Sequence, residues 1–170
     1  MFLPYFALGI SLISNVKATD AQKSALCLEH WVDASSAGLG CLLFNNTSKL
    51  SWEDASNYCQ DDEDAKLLEI SNSLQMDFVR SELALIYDYD SSTTLWWTSG
   101  TDQGREGEWY WASSGPSVPE LVWGSSPPSG ITRFNCMVLA RHQDFYADDQ
   151  VCTRDDLASA ICQKHFVSVI

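Results

Sequence analysis

The chain is poor in basic residues and has few histidines. It contains 10 lysines and arginines against 23 aspartates and glutamates, which gives a formal charge of −13, and it has three histidines. Phosphate backbones and anionic lipid headgroups repel a surface of this sign. The composition therefore argues against nucleic acid as a partner.

The sequence also lacks the common signatures of catalysis. It has no Cys-x-x-Cys pair, no Gly-x-Ser-x-Gly elbow and no zinc motif, and His30, His142 and His165 are scattered along the chain. No set of nucleophile, base and orienting group can be named from these residues. We therefore expect neither a zinc site nor enzyme activity.

Long apolar runs are absent except at the start of the chain. Residues Phe2–Val16 are apolar but too few to span a membrane. With the small-residue pattern Val16-Lys17-Ala18, this run predicts a signal peptide over residues 1–18, followed by a short tail over 19–26. A buried N-terminal strand is the alternative. No second apolar run follows, so we expect a secreted, extracellular protein without a membrane anchor.

Six cysteines are present, and an even number behind a signal peptide predicts three disulfides. Spacing alone leaves their pairing open. Asn45-Asn46-Thr47-Ser48 contains two overlapping glycosylation sequons, at Asn45 and at Asn46. They fall in a polar segment that we predict to be a loop. A glycan and an unmodified turn both remain open there.

Two helices are predicted in the first half of the chain. Ser51 is a good N-cap for a helix from Trp52 to about Gln60, and Asp54 is placed to support the cap. Ser73 is predicted to cap a second helix. The residues expected on the apolar face of that helix are Leu74, Phe78, Leu85 and Ile86.

Short strands are predicted in the rest of the chain, at Leu67–Ile70, Leu95–Thr98, Glu108–Trp111, Cys136–Ala140 and Ala158–Lys164. Two helices followed mainly by strands favour an α+β fold. Residues Ala112 to Arg133 show little regular pattern. Loops of this length inside compact domains are usually functional or disordered.

Taken in order, several motifs resemble a long-form C-type lectin-like domain, with a likeness to secreted arthropod lectins. They are Leu50-Ser51-Trp52-Glu53-Asp54-Ala55 with Tyr58-Cys59, Trp97-Thr98-Ser99-Gly100, Thr101-Asp102-Gln103-Gly104-Arg105-Glu106-Gly107, and Trp109-Tyr110-Trp111. The resemblance covers residues 27–166. It implies two helices, short antiparallel sheets and a long loop that carries the ligand site. It also implies the disulfides Cys27–Cys41, Cys59–Cys162 and Cys136–Cys152.

The resemblance also locates a calcium and sugar position in the long loop. In sugar-binding members, a Glu-Pro-Asn or Gln-Pro-Asp triplet, a further acid and a Trp-Asn-Asp triplet hold calcium, and sugar hydroxyls complete its oxygen shell. In this chain Pro127-Pro128-Ser129 stands at the first triplet, with Pro128 where the family has a cis proline. Phe134 replaces the acid, and Ala147-Asp148-Asp149 stands at the second triplet. The ligand set for calcium is therefore incomplete.

A second, auxiliary calcium position of the family corresponds to Asp102 and Glu106, with Asn135 nearby. A turn with solvated carboxylates is the alternative reading. No cofactor is required by the pattern, and calcium is the one candidate. The residues that could contribute to such a metal are Asp102, Glu106, Asn135, Asp148 and Asp149.

The predicted function is secreted carbohydrate recognition, in an innate-immune or pathogen-recognition setting, with a degenerate calcium–sugar motif. Without calcium, a sugar would be held by stacking and ordinary hydrogen bonds, for which the long loop offers aromatic and polar residues. The alternative is a calcium-independent module that binds an extracellular protein. The oligomeric state stays open. The candidate ligand-binding residues are Trp123, Ser126, Pro127, Pro128, Ser129, Phe145, Tyr146, Asp148 and Asp149.

Overall fold

Two α-helices and eight strands make up the regular structure of residues 27–61, 65–92 and 94–165, the part of the chain that this computed structural model describes. The predicted signal peptide, the tail over 19–26 and residue 166 lie outside the described residues. Helix α1 spans Trp52–Gln60 and helix α2 spans Ser73–Tyr89. The strands are β1 Val32–Asp33, β2 Cys41–Leu50, β3 Ala65–Leu67, β4 Leu95–Thr101, β5 Tyr110–Trp111, β6 Cys136–Ala140, β7 Tyr146–Gln150 and β8 Ala158–Lys164.

The strands form one mixed sheet in the order β1-β2-β8-β4-β6-β7, with β3 beside β8 and β5 beside β4. The pairings between these strands are antiparallel except β4 with β8, which is parallel. The α+β class and the two helices are confirmed, whereas the expected antiparallel sheets are joined into a single mixed sheet. A parallel pair needs a long connection, and the 56 residues between Thr101 and Ala158 supply it.

Helix α1 begins where the sequence predicts. The Ser51 hydroxyl accepts from the Asp54 backbone N–H at 3.2 Å and donates to the Asp54 carboxylate at 2.6 Å. Helix α2 is capped by Asn72, whose side chain accepts from the Gln75 N–H at 3.1 Å. The predicted cap at Ser73 is therefore wrong by one residue, because Asn72 has the extended backbone and the acceptor that a cap needs.

The buried face of α2 also differs from the prediction. The fully buried residues are Met76, Val79 and Leu83, which are spaced three and four residues apart and so lie on one side of the helix. Of the predicted residues, Phe78 and Ile86 are half-buried and pack against the core, as expected. The prediction is wrong for Leu74 and Leu85, which are exposed to solvent. No helix among the described residues is long and apolar enough to span a bilayer.

The strand boundaries move in three places. Strand β3 ends at Leu67, where the predicted strand begins, although Leu68 and Ile70 continue into the core. Strand β4 runs on to Thr101, and β5 contains Tyr110–Trp111 alone. The predictions for β6 and β8 match the structure. The loop predicted at residues 45–48 is wrong, because this segment lies in β2, where Asn45 pairs with Ala160 of β8.

Tryptophans fill the core on both sides of the sheet. Trp97 and Trp111 are buried, and Trp52 packs half-buried against the cluster around Trp97. The Trp97 indole N–H donates to the Leu50 carbonyl, and the Trp52 indole N–H donates to the Thr98 carbonyl, both at 2.8 Å. Because each of these indole N–H groups keeps a hydrogen bond, the large rings can be buried without leaving an unpaired donor.

Three disulfides hold the fold, with the pairing that the resemblance implies. Cys27–Cys41 ties the first described residue to β2, Cys59–Cys162 joins α1 to β8, and Cys136–Cys152 joins β6 to the segment after β7. All six cysteines are paired.

Candidate functional site

The long loop is largely ordered by backbone hydrogen bonds. A hairpin closes where the Trp111 N–H donates to the Pro116 carbonyl at 2.9 Å and the Val118 N–H donates to the Trp109 carbonyl at 3.0 Å. A 3-10 helix over Glu120–Trp123 follows, and Gly124 then turns the chain with a φ of 60°. The loop reaches the edge of the sheet at β7, where the predicted calcium position lies.

At the predicted calcium position, two residues of the chain, Ser129 and Asp149, are hydrogen-bonded to each other. The Ser129 N–H donates to one carboxylate oxygen of Asp149 at 2.9 Å, and the Ser129 hydroxyl donates to the other oxygen. Asp149 is only 3% exposed. Both oxygens that a metal would need are therefore engaged by the residue that replaces the Asn or Asp of the family triplet.

The neighbouring carboxylate does not join Asp149. Residues next to each other in a strand point to opposite faces. Asp148 Oδ2 lies 3.1 Å from His142 Nε2 and accepts from Gln150 Nε2 at 3.2 Å. No group of three or more histidine, cysteine, aspartate or glutamate side chains that could hold a metal occurs among the described residues. The two candidate ligands of β7 are thus turned to separate partners.

The other substituted positions reinforce this geometry. Phe134 presents a ring where the family has an acid, and the Arg133 guanidinium lies 5.2 Å from the centre of that ring. The described residues contain no cis peptide bond, so Pro128 follows a trans peptide bond. Calcium needs six to eight oxygens, and the residues at this position do not fit that ion.

The auxiliary position keeps part of a ligand set. Asp102 is 2% exposed, and its Oδ2 accepts from the Gly107 N–H at 2.8 Å. Its Oδ1 and the Oδ1 of Asn135 are buried without a hydrogen-bond partner. Glu106 is exposed. Two buried oxygens are fewer than the calcium shell requires, so the described side chains do not complete a calcium site here.

The three aromatic candidates lie in different surroundings. Phe145 is 2% exposed and packs edge-to-face on Tyr87 at 6.3 Å, so it offers no surface to a ligand. Tyr146 is half-buried and accepts from Arg80 Nη1 at 3.2 Å, with the guanidinium 4.1 Å above its ring. Trp123 is 8% exposed and packs edge-to-face on Trp109 at 4.9 Å. Of the three, Phe145 is the most fully buried and is a core residue.

A cavity of about 700 Å³ opens between the hairpin and the proline segment of the long loop. Pockets that bind small molecules have about 300–1,000 Å³. We call this cavity the aromatic groove. Its lining residues are Gly107, Glu108, Trp109, Tyr110, Ser117, Val118, Glu120, Trp123, Gly124, Ser125, Pro127 and Pro128.

The charged side chains that line the aromatic groove are both acidic. Glu108 forms an exposed ion pair with Arg105 at 2.6 Å, and Glu120 is exposed at the start of the 3-10 helix. Among the described residues that line the cavity, none is a lysine, arginine or histidine. The charges that line the groove are therefore of one sign, in a protein that is acidic overall.

Comparison with known proteins identifies the fold family. The family model described as "Lectin C-type domain" matches residues 48–164. The chain belongs to the C-type lectin family. Human lithostathine-1-alpha is 28% identical over 124 residues, which are 72% of this chain and 70% of that protein.

Solved structures of this family superpose on the lectin-like domain described here. A calcium-independent type II antifreeze protein matches with a TM-score of 0.65 at 20% identity, over 83% of this chain and 95% of that one. The C-type lectin CEL-I from Cucumaria echinata matches with a TM-score of 0.66 at 19% identity, over 81% of this chain and 96% of that one. At these identities the likeness concerns the fold alone.

Of the candidate ligand residues, the lectin-like fold brings Trp123, Pro127 and Pro128 to the groove. Ser126 bonds to the Gln143 side chain at 2.9 Å, and Ser129 bonds to Asp149. The groove also uses residues that sequence reasoning did not propose for binding, namely Glu108, Trp109, Tyr110 and Glu120. Trp109 and Tyr110 stand out in the sequence, but as family framework residues.

Proposed function

We propose that this chain is a secreted C-type lectin-like protein that binds carbohydrate outside the cell, in innate or pathogen recognition, without calcium at the sugar position of the family. Family membership supports binding as its role. Three disulfides support an oxidising compartment, where such bonds persist. The observation that carries the calcium-independent part is the engagement of both Asp149 oxygens by Ser129.

The physical reason is a competition for the same oxygen atoms. A calcium ion at Asp149 would displace two hydrogen bonds from Ser129, while Pro127 and Phe134 provide no side-chain oxygen to complete the shell. Vicinal sugar hydroxyls bind calcium in this family because the protein supplies most of the shell. With that supply removed, affinity has to come from direct contacts between protein and sugar.

The test combines calorimetry with a glycan array on the secreted, oxidised protein. We expect no heat on titration with calcium, and array signals that are equal in calcium and in chelator. Micromolar calcium binding together with glycan signals that vanish in chelator would overturn the calcium-independent part of the proposal.

The second candidate is a module that binds an extracellular protein. It is favoured by the rigidity of the loop surface, since Pro127 and Pro128 restrict the backbone. In addition, Ser126 is hydrogen-bonded to the turn before β7, and Ser129 is hydrogen-bonded to β7 itself. A surface that is already ordered loses little entropy on binding. A blank glycan array in both conditions would favour this second function.

A further inference from the structure

We propose that the aromatic groove is the ligand site of this protein and that it selects uncharged pyranose chains over acidic ones. This inference rests on the proposed glycan-binding function and names the place and the ligand class. The groove lies beside the closed calcium position, between the hairpin and Pro127-Pro128.

Both walls of the groove are held in place before a ligand arrives. The hairpin wall is fixed by the Val118 N–H bond to Trp109, and the Trp123 ring braces Trp109 from the other side. The proline wall is fixed at Ser126 by its bond to Gln143 and at Ser129 by its bonds to Asp149. A preformed cleft of this kind binds with a small ordering cost.

The surface inside the groove suits a sugar ring. Trp109, Tyr110, Val118 and Trp123 all line the groove; the two tryptophans are each 8% exposed, and Tyr110 and Val118 are half-buried. A pyranose has C–H faces that can lie on such apolar area and hydroxyls around its edge. Ligand pockets in general combine a mainly apolar lining with a few polar groups that orient the ligand.

The polar groups determine which sugars fit. Glu108 and Glu120 can accept hydrogen bonds from sugar hydroxyls, and bonds to an ionised carboxylate are stronger than bonds between neutral groups. A sialic acid, uronic acid or sulfate would bring a further negative charge beside them, and Arg105, which already pairs with Glu108, is not among the lining residues. Like charges placed together at an interface oppose binding. The groove therefore favours uncharged glycans.

The experiment uses the secreted full-length protein on an array of neutral, sialylated, sulfated and uronic-acid glycans, in chelator throughout. Ser125→Tyr places a ring at the groove mouth, and Ser81→Tyr places one on the exposed face of α2 as the matched control. Each variant is first checked for an unchanged melting temperature. We expect neutral-glycan binding to fall by about tenfold or more in Ser125→Tyr, the loss that corresponds to one good contact, and to be unchanged in Ser81→Tyr.

A second pair of variants tests whether the acidic side chains of the groove determine which glycans bind. Glu120→Gln keeps the side-chain shape and removes one negative charge from the groove, and Asp88→Asn makes the same change on α2, away from the cavity. We expect Glu120→Gln to weaken the binding of neutral glycans several-fold. The difference in binding between neutral and acidic glycans should become smaller. Asp88→Asn should leave both classes as in the wild type.

Each outcome has a distinct meaning. Glycan signals that persist in Ser125→Tyr would overturn the groove assignment and leave the proposed glycan-binding function standing. A wild-type preference for sialylated, sulfated or uronic-acid glycans would overturn the charge argument. A blank array for the wild type would overturn both the groove inference and the glycan function, in favour of a protein ligand.

Discussion

The contact between Ser129 and Asp149 gives the most direct test of how the long loop is held. Ser129→Ala removes the hydroxyl that donates to Asp149 Oδ2 and that accepts from the Ile131 N–H at 3.2 Å. The Ser129 N–H bond to the other carboxylate oxygen remains. The variant therefore removes one hydrogen bond to a buried carboxylate, together with the acceptor of the Ile131 N–H.

The expected loss follows from the environment of the two residues. Hydrogen bonds to charged groups contribute about 1.5–3 kcal/mol. Asp149 is buried, but Ser129 is exposed, so water can replace part of the lost contact. We expect the free energy of unfolding to fall by about 1.5 kcal/mol, near the lower end of that range. For a domain of this size, the melting temperature should drop by about 3–6 °C.

The assay is thermal and chemical unfolding of the wild type, Ser129→Ala and Ser125→Ala, each with calcium and with chelator. Ser125 is exposed in the same loop, so its alanine variant should lie within about 0.5 kcal/mol of the wild type. Saturating calcium should not raise the melting temperature of the wild type. Ligand at a hundred times its dissociation constant would add about 2.7 kcal/mol, a difference that this assay detects easily.

Two results would contradict this prediction. A loss below about 0.5 kcal/mol in Ser129→Ala would mean that the Asp149 carboxylate does not depend on this hydroxyl. A calcium-dependent rise in the melting temperature that Asp149→Asn abolishes would mean that the metal displaces Ser129 from its carboxylate.

Three further predictions concern the rest of the domain. Replacing Cys59 and Cys162 by serine should lower the unfolding free energy by up to about 4.7 kcal/mol, because this disulfide spans 103 residues; denaturant titration measures it, and a loss below about 1 kcal/mol would contradict the expectation. Of the two sequons, the one at Asn46 should carry the glycan, since Asn46 is exposed whereas Asn45 is 4% exposed and hydrogen-bonded through its side chain. Peptide mapping of Asn45→Gln and Asn46→Gln tests this. A glycan that survives in Asn46→Gln would count against the prediction. Gly124→Ala should lower the free energy of unfolding by about 1–3 kcal/mol, because Gly124 has a φ of 60° and a Cβ there would lie 2.7 Å from the Tyr146 ring. An unchanged unfolding midpoint would show that the turn is not held in this conformation.

Much of the framework follows from local signals in the sequence. The cap of α1 needs only Ser51 and Asp54, which are three residues apart. The even cysteine count predicts disulfides, and the family motifs around them imply the pairing that the structure has. The buried tryptophans are predictable as well, because a ring of that size is rarely left in water in a small domain.

The sequence predicts the helix cap and the buried helix face less well where two neighbouring residues suit the same role. Asn72 and Ser73 both cap helices well, and α2 offers two neighbouring apolar stripes. The rest of the fold selects between them, since the stripe of Met76, Val79 and Leu83 is fully buried whereas the other stripe is buried only in part. Propensity differences of this size are smaller than the effect of tertiary packing.

The family, the disulfide framework and the loss of calcium ligands at Pro127 and Phe134 can be predicted from the sequence, because they depend on which residues are present. The contact that occupies the vacated position cannot, since Ser129 and Asp149 are 20 residues apart and meet only when the long loop folds onto β7. The aromatic groove has the same origin. Its walls come from two separate stretches, 107–110 and 117–128, and no local pattern specifies the distance between segments that are brought together by the fold.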